Sequence, residues 1–459
     1  MGILGLVCAL AHLVYCAGLR PISGGWRAAI GRLCAAEGAA SGELTQRWRR
    51  KDPMVATLPS VVNRSVEPRD NRGHPGGRPS KSSASFATSV ALNKRITGAL
   101  SWEDIVEILR SASPDIIDDV CVATAFHRAA KLGARSSPGP RETDLAQIIA
   151  LIESKIDELG SRELANILWS FAKLGLRPEP ALWDALSEKA ERSAGSFNSQ
   201  NVANTLWAFA TLGIPPSETL LAALSSAAER SAGSFNSQAV ANTLWAFATL
   251  GIPPSKTLLA ALSSAAERSA GSFIPQELAN TLWAMAVLHI EPPSSLAQRA
   301  SELGTALNDE GIEQISYAHL VGQALGWSMQ LPDELVQRAQ SVQRRLAQQP
   351  SVSRLQQRVY EALQGMGQQP QLEALTDDGL FSIDIALPES EQDGRPKTAV
   401  EVDGPSHFTS SGSKTGNTQL RDFLLEQRGW RVVSLPYFAI NAASTDAELN
   451  ECLAGALRP

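Results

Sequence analysis

Cysteine, aromatic and charged residues are all scarce in this chain. Five of its 459 residues are cysteines, and none stands in a CxxC pair or at a Cys/His metal-ligand spacing. This pattern excludes a disulfide framework and a zinc site as the basis of the fold. Aromatic residues make up 6% and charged residues 19%, which favours helices that pack closely through small residues. The length leaves room for two or three domains.

Acidic residues are especially scarce at the start of the chain. Residues 1–101 hold 14 Lys and Arg against 5 Asp and Glu. From totals of 41 bases and 47 acids, residues 102–459 therefore hold 27 bases and 42 acids. The net charge of −6 thus combines a basic leader with an acidic body. An acidic body argues against non-specific polyanion binding, so a nucleic-acid role needs other evidence.

The basic stretch, residues 1–100, has the composition of a targeting leader. Residues 3–19 are uncharged and mostly apolar, and resemble the apolar region of a signal peptide more than a spanning helix. The remainder is rich in Ser, Gly and Pro, which predicts a largely disordered segment. We expect a transit peptide to a plastid or a mitochondrion, and no stable membrane insertion of the mature chain. A single membrane anchor or a misassigned start is the alternative.

A strict internal repeat dominates the middle of the chain. One apolar block recurs at an offset of 38 residues, as LANILWSFAKLG from Leu164, VANTLWAFATLG from Val202 and from Val240, and LANTLWAMAVLH from Leu278. Such a period is typical of a solenoid, in which each unit buries its apolar face only against its neighbours.

Each unit has the signals of a helical hairpin. Ser199 is suited to cap a first helix and Gly213 to end it, and a Pro-Pro turn leads into a second amphipathic helix from Glu218. Degenerate copies begin at Val122 and Ile315. We therefore predict an α-solenoid over residues 101–345, in about six units.

Two positions of the first helix recur in every clear unit. The four tryptophans are expected to form inter-repeat core rather than stacking platforms for bases; they are Trp169, Trp207, Trp245 and Trp283. The four asparagines form either a hydrogen-bonded ladder between repeats or a row that faces a ligand; they are Asn166, Asn204, Asn242 and Asn280.

The LANxLWAxAxLG helix with its period resembles the octotricopeptide and heptatricopeptide repeats of algal and apicomplexan organelle RNA-binding proteins. The resemblance implies that the solenoid grips single-stranded RNA. Units 195–232 and 233–270 differ only at Asn201 against Ala239 and Glu218 against Lys256. If each unit reads one base through a few side chains, Asn201 is the candidate that distinguishes the pair, and we hypothesise that it contacts a base.

The repeat signal stops near residue 350, and residues 346–459 predict a small α/β domain. Strands are expected at residues 381–387, 398–403 and 431–435, and helices at about 352–363, 418–428 and 446–456. The segments VEVDGPSHF from Val400, TGNT from Thr415, GWRVV from Gly429 and LPY from Leu435, with Arg421 between them, are similar to the RAP domain. That resemblance implies a fold like the PD-(D/E)xK nucleases.

Three carboxylates of this domain are candidate catalytic and metal-binding groups. Glu401 and Asp403 share one face of their strand, and Asp384 lies opposite an apolar stripe on another. Together they are suited to hold Mg²⁺ and activate water for phosphodiester cleavage. The nuclease fold usually has Lys where Asp403 stands, so a nuclease-like fold kept for RNA contact or partner docking is the other interpretation. Lys414 and Arg421 are expected to contact RNA.

These features together favour an organellar RNA-binding protein that acts in transcript stabilisation, processing, splicing or translation. Its expected partners are single-stranded organellar RNA and other RNA-processing proteins, and it needs no cofactor in that role. One alternative is a Mg²⁺-dependent endoribonuclease that cuts with the RAP-like domain. The other is a protein-binding scaffold, which the acidic body favours.

Overall fold

The computed structural model describes residues 83–133, 142–349, 351–390 and 394–458. Residues 1–82, which hold most of the expected leader and its targeting signals, lie outside the described residues. In the part that is described, no helix is long and apolar enough to cross a membrane.

Seven helical hairpins follow one another within the described part of residues 83–347. In chain order they are α1 Ser83–Gly98 and α2 Trp102–Ser111, α3 Asp119–Gly133 and α4 Glu142–Lys155, α5 Ser161–Leu174 and α6 Pro180–Ser193, α7 Ser199–Thr211 and α8 Glu218–Arg230, α9 Ser237–Leu250 and α10 Lys256–Arg268, α11 Pro275–Val287 and α12 Ser294–Leu303, and α13 Asp309–Leu325 and α14 Asp333–Ala347. The predicted α-solenoid is confirmed. It contains one hairpin more than the repeat indicates.

The additional hairpin begins inside the segment that the composition assigns to the leader. Helix α1 packs against α2 and α3, and its Leu92 and Ile96 are buried. The prediction of a leader up to residue 100 is therefore corrected at its end, because an apolar stripe in α1 completes the first units of the array.

Local signals explain where the repeat helices begin and end. The side chain of Asn198, rather than Ser199, caps α7 by accepting a hydrogen bond from the backbone N–H of Asn201. Ser199 is instead the first helical residue, which corrects the predicted cap by one position. Gly213 follows the helix with a φ of 64°, a left-handed conformation that costs glycine little and ends the helix.

The first helices of the hairpins form one continuous layer, each packed on the next, and the second helices form the other. The core between the first helices contains buried phenylalanines, one per unit, at Phe126, Phe171, Phe209 and Phe247. Three of the four repeat tryptophans are buried as well, which confirms the prediction of inter-repeat core for Trp169, Trp245 and Trp283. Trp207 is only half-buried.

The C-terminal domain is a four-stranded sheet with helices. Its elements are α15 Arg354–Gly365, β1 Gln371–Leu375, β2 Ser382–Leu387, β3 Thr398–Asp403, α16 Gly416–Glu426, β4 Arg431–Pro436, α17 Tyr437–Ala442 and α18 Asp446–Ala456. The strands lie in the order β1-β2-β3-β4. The β1/β2 and β2/β3 pairs are antiparallel, and β3/β4 is parallel across α16. The predicted α/β architecture is confirmed, with β1 and α17 as elements that the sequence pattern did not predict.

This domain docks on the ends of the first helices of the array. Helix α16 packs against α9 and α11. The backbone N–H of Ser410 donates to the carbonyl of Gly213 over 2.7 Å, and the rings of His289 and Phe423 lie 4.3 Å apart, centroid to centroid. Carbonyls at the C-terminal end of a helix lack hydrogen-bond partners within the helix. The loop that contains Ser410 supplies such a partner to the carbonyl of Gly213, which follows α7.

Gly416→Ala should weaken this docking. A Cβ atom there would overlap the carbonyl oxygen of Ala248 and come within 2.7 Å of Cγ1 of Val287. We expect a loss of about 1–3 kcal/mol in the free energy of unfolding, although alanine alone favours a helix over glycine. Hydrogen–deuterium exchange should rise at the ends of α9 and α11.

Gly455→Ala is the matched control, since a Cβ on this helical glycine of the same domain meets nothing within 4 Å. Equal exchange at the ends of α9 and α11 in both variants would show that the contact at Gly416 does not hold the domain.

Candidate functional site

The repeat asparagines and tryptophans lie on one side of the first-helix layer, because residues three apart on a helix are neighbours. We call these eight residues the Asn/Trp row. Ring centroids lie 6.0 Å apart between Trp169 and Trp207 and 6.4 Å apart between Trp207 and Trp245. His127 of α3 extends the aromatic line, 5.0 Å from Trp169.

The asparagines of the row differ in their surroundings. Asn166, Asn204 and Asn280 are half-buried, whereas Asn242 is 6% exposed. Within the described ranges, only Asn280 has a side-chain partner in another repeat, since its Oδ1 accepts from Nε2 of Gln314 over 3.1 Å. Half-buried amides with unused donors and acceptors fit a row that faces a ligand better than a continuous hydrogen-bonded ladder.

Asn201 does not belong to this half-open set. It is 6% exposed, as is Ala239 at the equivalent position, and its backbone N–H donates to Oδ1 of Asn198 over 2.9 Å. Its side chain lies in the first turn of α7 with little surface to offer a base. The hypothesis that Asn201 reads a base stays a prediction, and the half-buried amides lie one turn further along the helices.

In the C-terminal domain, the carboxylates of β2 and β3 lie in a buried polar cluster. Asp384 accepts a hydrogen bond of 2.8 Å from the backbone N–H of Val402 through Oδ2. Glu401 is 3% exposed, and its Oε2 accepts one of 2.7 Å from Nε of Arg421. The same guanidinium donates to the carbonyl of Ser382, so Arg421 joins α16 to both strands.

Asp403 has its own set of partners on the same strand. Its Oδ1 lies 2.7 Å from Nδ1 of His407, its Oδ2 accepts from the hydroxyl of Ser434, and Nζ of Lys414 lies 3.7 Å from Oδ2. Lys414 makes a closer ion pair with Oδ2 of Asp422 at 2.5 Å. Each cation of this cluster is thereby paired with a carboxylate of the same domain.

These contacts move the pKa values of the cluster in opposite directions. Burial, and then the nearby Glu401 carboxylate, raises the pKa of Asp384 to about 7. For Asp403, burial also acts to raise the pKa, but the hydrogen bonds from His407 and Ser434 outweigh it and lower the pKa. Burial acts to lower the pKa of His407, and Asp403 outweighs it and raises the pKa.

The three carboxylates do not assemble the metal site that the strands predict. Glu401 faces an arginine, Asp384 a backbone N–H, and Asp403 a histidine and a hydroxyl. In the described part of the chain, no group of three or more His, Cys, Asp and Glu side chains is arranged to hold a metal ion. Arg421 instead supplies a positive charge beside Glu401, and the Mg²⁺-binding and catalytic roles of Asp384, Glu401 and Asp403 stay predictions.

Lys414 and Arg421 were expected to contact RNA, and the structure gives both of them partners within the domain. Lys414 is paired with Asp422, and Arg421 with Glu401. A guanidinium that neutralises a buried carboxylate cannot leave it for a phosphate without a large desolvation penalty. In the structure both side chains neutralise acids of their own domain, and their contact with RNA stays a prediction.

Sequence reasoning missed an aromatic cluster where β3 and β4 end. Phe438 lies 5.5 Å from Phe408 and 5.4 Å from Tyr437, centroid to centroid, and is 49% exposed. The two strands are parallel, so the residues that follow them meet at one edge of the sheet. The sequence signal is the Pro-Tyr-Phe segment, in which Pro436 ends β4 and Tyr437 begins the short helix α17.

Two known families match this chain. Residues 400–453 match the RAP domain, a segment that begins in β3 and ends in α18. Residues 123–315 match the family described as RNA-editing substrate-binding complex 6 protein, a segment that begins in α3 and ends in α13. The chain is thus a helical-repeat protein with a C-terminal RAP domain, which confirms the resemblance that its motifs carry.

Arg421→Ala should destabilise the RAP domain. It leaves Glu401 buried with an uncompensated charge, which costs about 3–5 kcal/mol in the free energy of unfolding. The double variant Glu401→Leu with Arg421→Met should recover most of that loss, because an apolar pair needs no neutralisation. Urea unfolding of the three proteins measures both effects. An Arg421→Ala protein as stable as wild type would contradict the neutralising role.

Asp384→Asn should change the dependence of stability on pH. A folded pKa of about 7 lies above the unfolded value, so the wild type loses stability from this group as pH rises from about 4 to 7. The amide cannot ionise and still accepts from Val402. The variant should therefore melt close to wild type at pH 4.5 and above it at pH 8. A constant difference across that range would contradict the raised pKa.

Proposed function

We propose that this protein binds RNA and acts in RNA metabolism, with single-stranded RNA held along the Asn/Trp row of the array. Both matched families support an RNA-binding role, since one is the RAP domain and the other is named for an RNA-editing substrate-binding complex. The second name also supports other RNA-processing proteins as partners.

The observation that carries this proposal is the set of half-buried amides beside the line of indole rings that runs from Trp169 through Trp207 to Trp245. An asparagine amide presents one acceptor and two donors, which suits the edges of unpaired bases. Asn166 and Asn204 repeat at the same helical position in consecutive units, and Trp207 is half-buried beside them. A regular spacing of equivalent amides suits a strand whose bases are equally spaced.

The charges of the chain favour recognition through bases over recognition through phosphates. The body, residues 102–459, holds 27 bases and 42 acids, and two of its cations, Lys414 and Arg421, are paired within the RAP domain. Acids therefore outnumber the cations of the body, and the body as a whole repels phosphates rather than collecting them. This distinguishes the proposed mode from the basic grooves that hold nucleic acid without sequence preference.

We expect the full chain to bind single-stranded RNA more tightly than a duplex of the same sequence, because pairing hides the base edges. The logarithm of the affinity should fall as the logarithm of the salt concentration rises, with a slope smaller in magnitude than about 3. Each phosphate contact on a single strand contributes about 0.7 to that slope, so a small slope means few phosphate contacts. Fluorescence anisotropy at several salt concentrations measures both. Equal affinity for strand and duplex would contradict base contact, and capture of proteins without RNA would favour a scaffold.

An organellar location, in a plastid or a mitochondrion, is the finer part of the proposal. It is supported by the basic, acid-poor composition of residues 1–100. A fluorescent protein fused behind residues 1–100, compared with one fused behind residues 21–100, tests it in cells. A cytosolic signal from the longer fusion would contradict the transit peptide.

A further inference from the structure

The aromatic cluster at the ends of β3 and β4 presents an open ring to solvent. The cluster consists of Phe408, Tyr437 and Phe438. Phe438 is 49% exposed, whereas every other aromatic residue whose burial the structure describes is buried or half-buried. Phe408 and Tyr437 each meet the ring of Phe438 edge-on, with interplanar angles of 60° and 78°. The ring therefore has a defined orientation and a large open surface.

Helix α17, which carries this ring, is fixed to the core of the RAP domain. Ile440 lies on the same helix and is fully buried. The guanidinium of Arg358, on α15, donates to the carbonyl oxygens of Ile440 and Ala443 over 3.0 and 2.7 Å. Because these contacts hold the backbone of α17 in place, Phe438 loses little conformational freedom when it receives a flat ligand.

The charge around the cluster suits a polyanion better than the rest of the body does. Residues 102–459 hold 42 acids against 27 bases. The two segments that build the cluster depart from that composition, since residues 404–421 and 427–445 contain no Asp or Glu. The repulsion that the acidic body exerts on phosphates is therefore weakest where these segments meet.

The surface of these two segments is otherwise polar. Their other exposed residues are small or polar, such as Ser406, Ser410 and Asn441. Phe438 is thus a single open ring and not part of a broad apolar patch of the kind that marks a protein-binding surface. A single ring in a polar surface matches the size of one base, which stacks on aromatic side chains through its flat face.

The loop that follows Phe408 links the cluster to the array. Two residues further on, the backbone N–H of Ser410 donates to the carbonyl of Gly213 over 2.7 Å. Gly213 follows α7, which carries Trp207, a half-buried member of the Asn/Trp row. The reach of the loop residues and the rise of the helix put the Cα atoms of Phe408 and Trp207 at most about 25 Å apart. The cluster is therefore within reach of a strand bound at Trp207.

We infer that an unpaired RNA base stacks on Phe438, so that the RAP domain adds a stacking position to the strand held along the Asn/Trp row. The inference rests on the proposed RNA binding and names a contact outside the array. The strand passes the end of α7 to reach this position. Because a phenylalanine ring has no hydrogen-bond donor or acceptor, the position accepts any base.

Phe438→Ala tests the contact against a matched control in the same domain. We expect this variant to weaken binding of a single-stranded RNA by the full chain about tenfold, because one stacked base is lost. Leu375→Ala removes a side chain of similar exposure, 44%, from β1 and should stay within about twofold of wild type. Fluorescence anisotropy measures the affinities, and thermal melting verifies that each variant is folded.

Phe438→Trp and Phe438→Leu separate stacking from simple apolar contact. Tryptophan keeps a flat aromatic face, so its affinity for RNA should equal or exceed that of wild type. Leucine keeps an apolar side chain without that face, so its loss of affinity should be close to that of Phe438→Ala. A fluorescent purine analogue placed at successive positions of the strand should be quenched at one position on wild type and remain bright there on Phe438→Leu. Affinity restored by leucine would overturn the stacking contact.

The outcomes separate this inference from the proposed function. If wild type binds no RNA, the proposed function fails. If wild type binds RNA and Phe438→Ala binds it equally well, RNA binding stands and the stacking position is overturned. Loss of a protein partner from Phe438→Ala with unchanged RNA affinity would also overturn it, and would assign the ring to a protein interface.

Discussion

The contact between successive first helices is the interaction on which the rest of the molecule depends. A single hairpin cannot bury its own apolar face, so each unit becomes stable only when the next one covers it. The buried phenylalanines that recur along the layer, such as Phe171 and Phe209, lie at this contact. This contact fixes the spacing of the first helices, and the residues of the Asn/Trp row therefore have the same spacing. At the C-terminal end of the array, the apolar face of α13 would remain uncovered without α14 and the RAP domain.

Charge neutralisation plays the corresponding role in the RAP domain. Glu401 lies on the central strand β3 and is nearly fully buried, so it requires a cation close by. Arg421 supplies it from α16, the same helix that meets the array. The ion pair that stabilises the sheet therefore also holds the docking helix against it. A metal in place of the arginine would leave α16 without this connection, which explains why a nuclease-like arrangement of acids is compatible with a structural role.

Much of the fold could be predicted from short-range patterns. The 38-residue repeat period predicted the helical hairpins, and the alternation of apolar and polar residues predicted β2 and β3. Strand β1 could not be predicted because it is short and interrupted at Glu373, whose φ is 48°. Helix α1 could not be predicted because its composition matches that of the leader. The candidate site was harder to predict. The sequence places Asp384, Glu401 and Asp403 near one another, but a pattern on strands does not show that Arg421, from a later helix, will pair with Glu401.

Identical repeats do not guarantee identical sites. The segments around Asn204 and Asn242 have the same sequence, yet Asn204 is half-buried whereas Asn242 is 6% exposed. A base preference assigned unit by unit from sequence would count both amides equally. The exposure of an amide therefore depends on its place in the folded chain as well as on its own segment. Any assignment of bases to repeats in this protein has therefore to begin from the exposure of each amide in the folded chain.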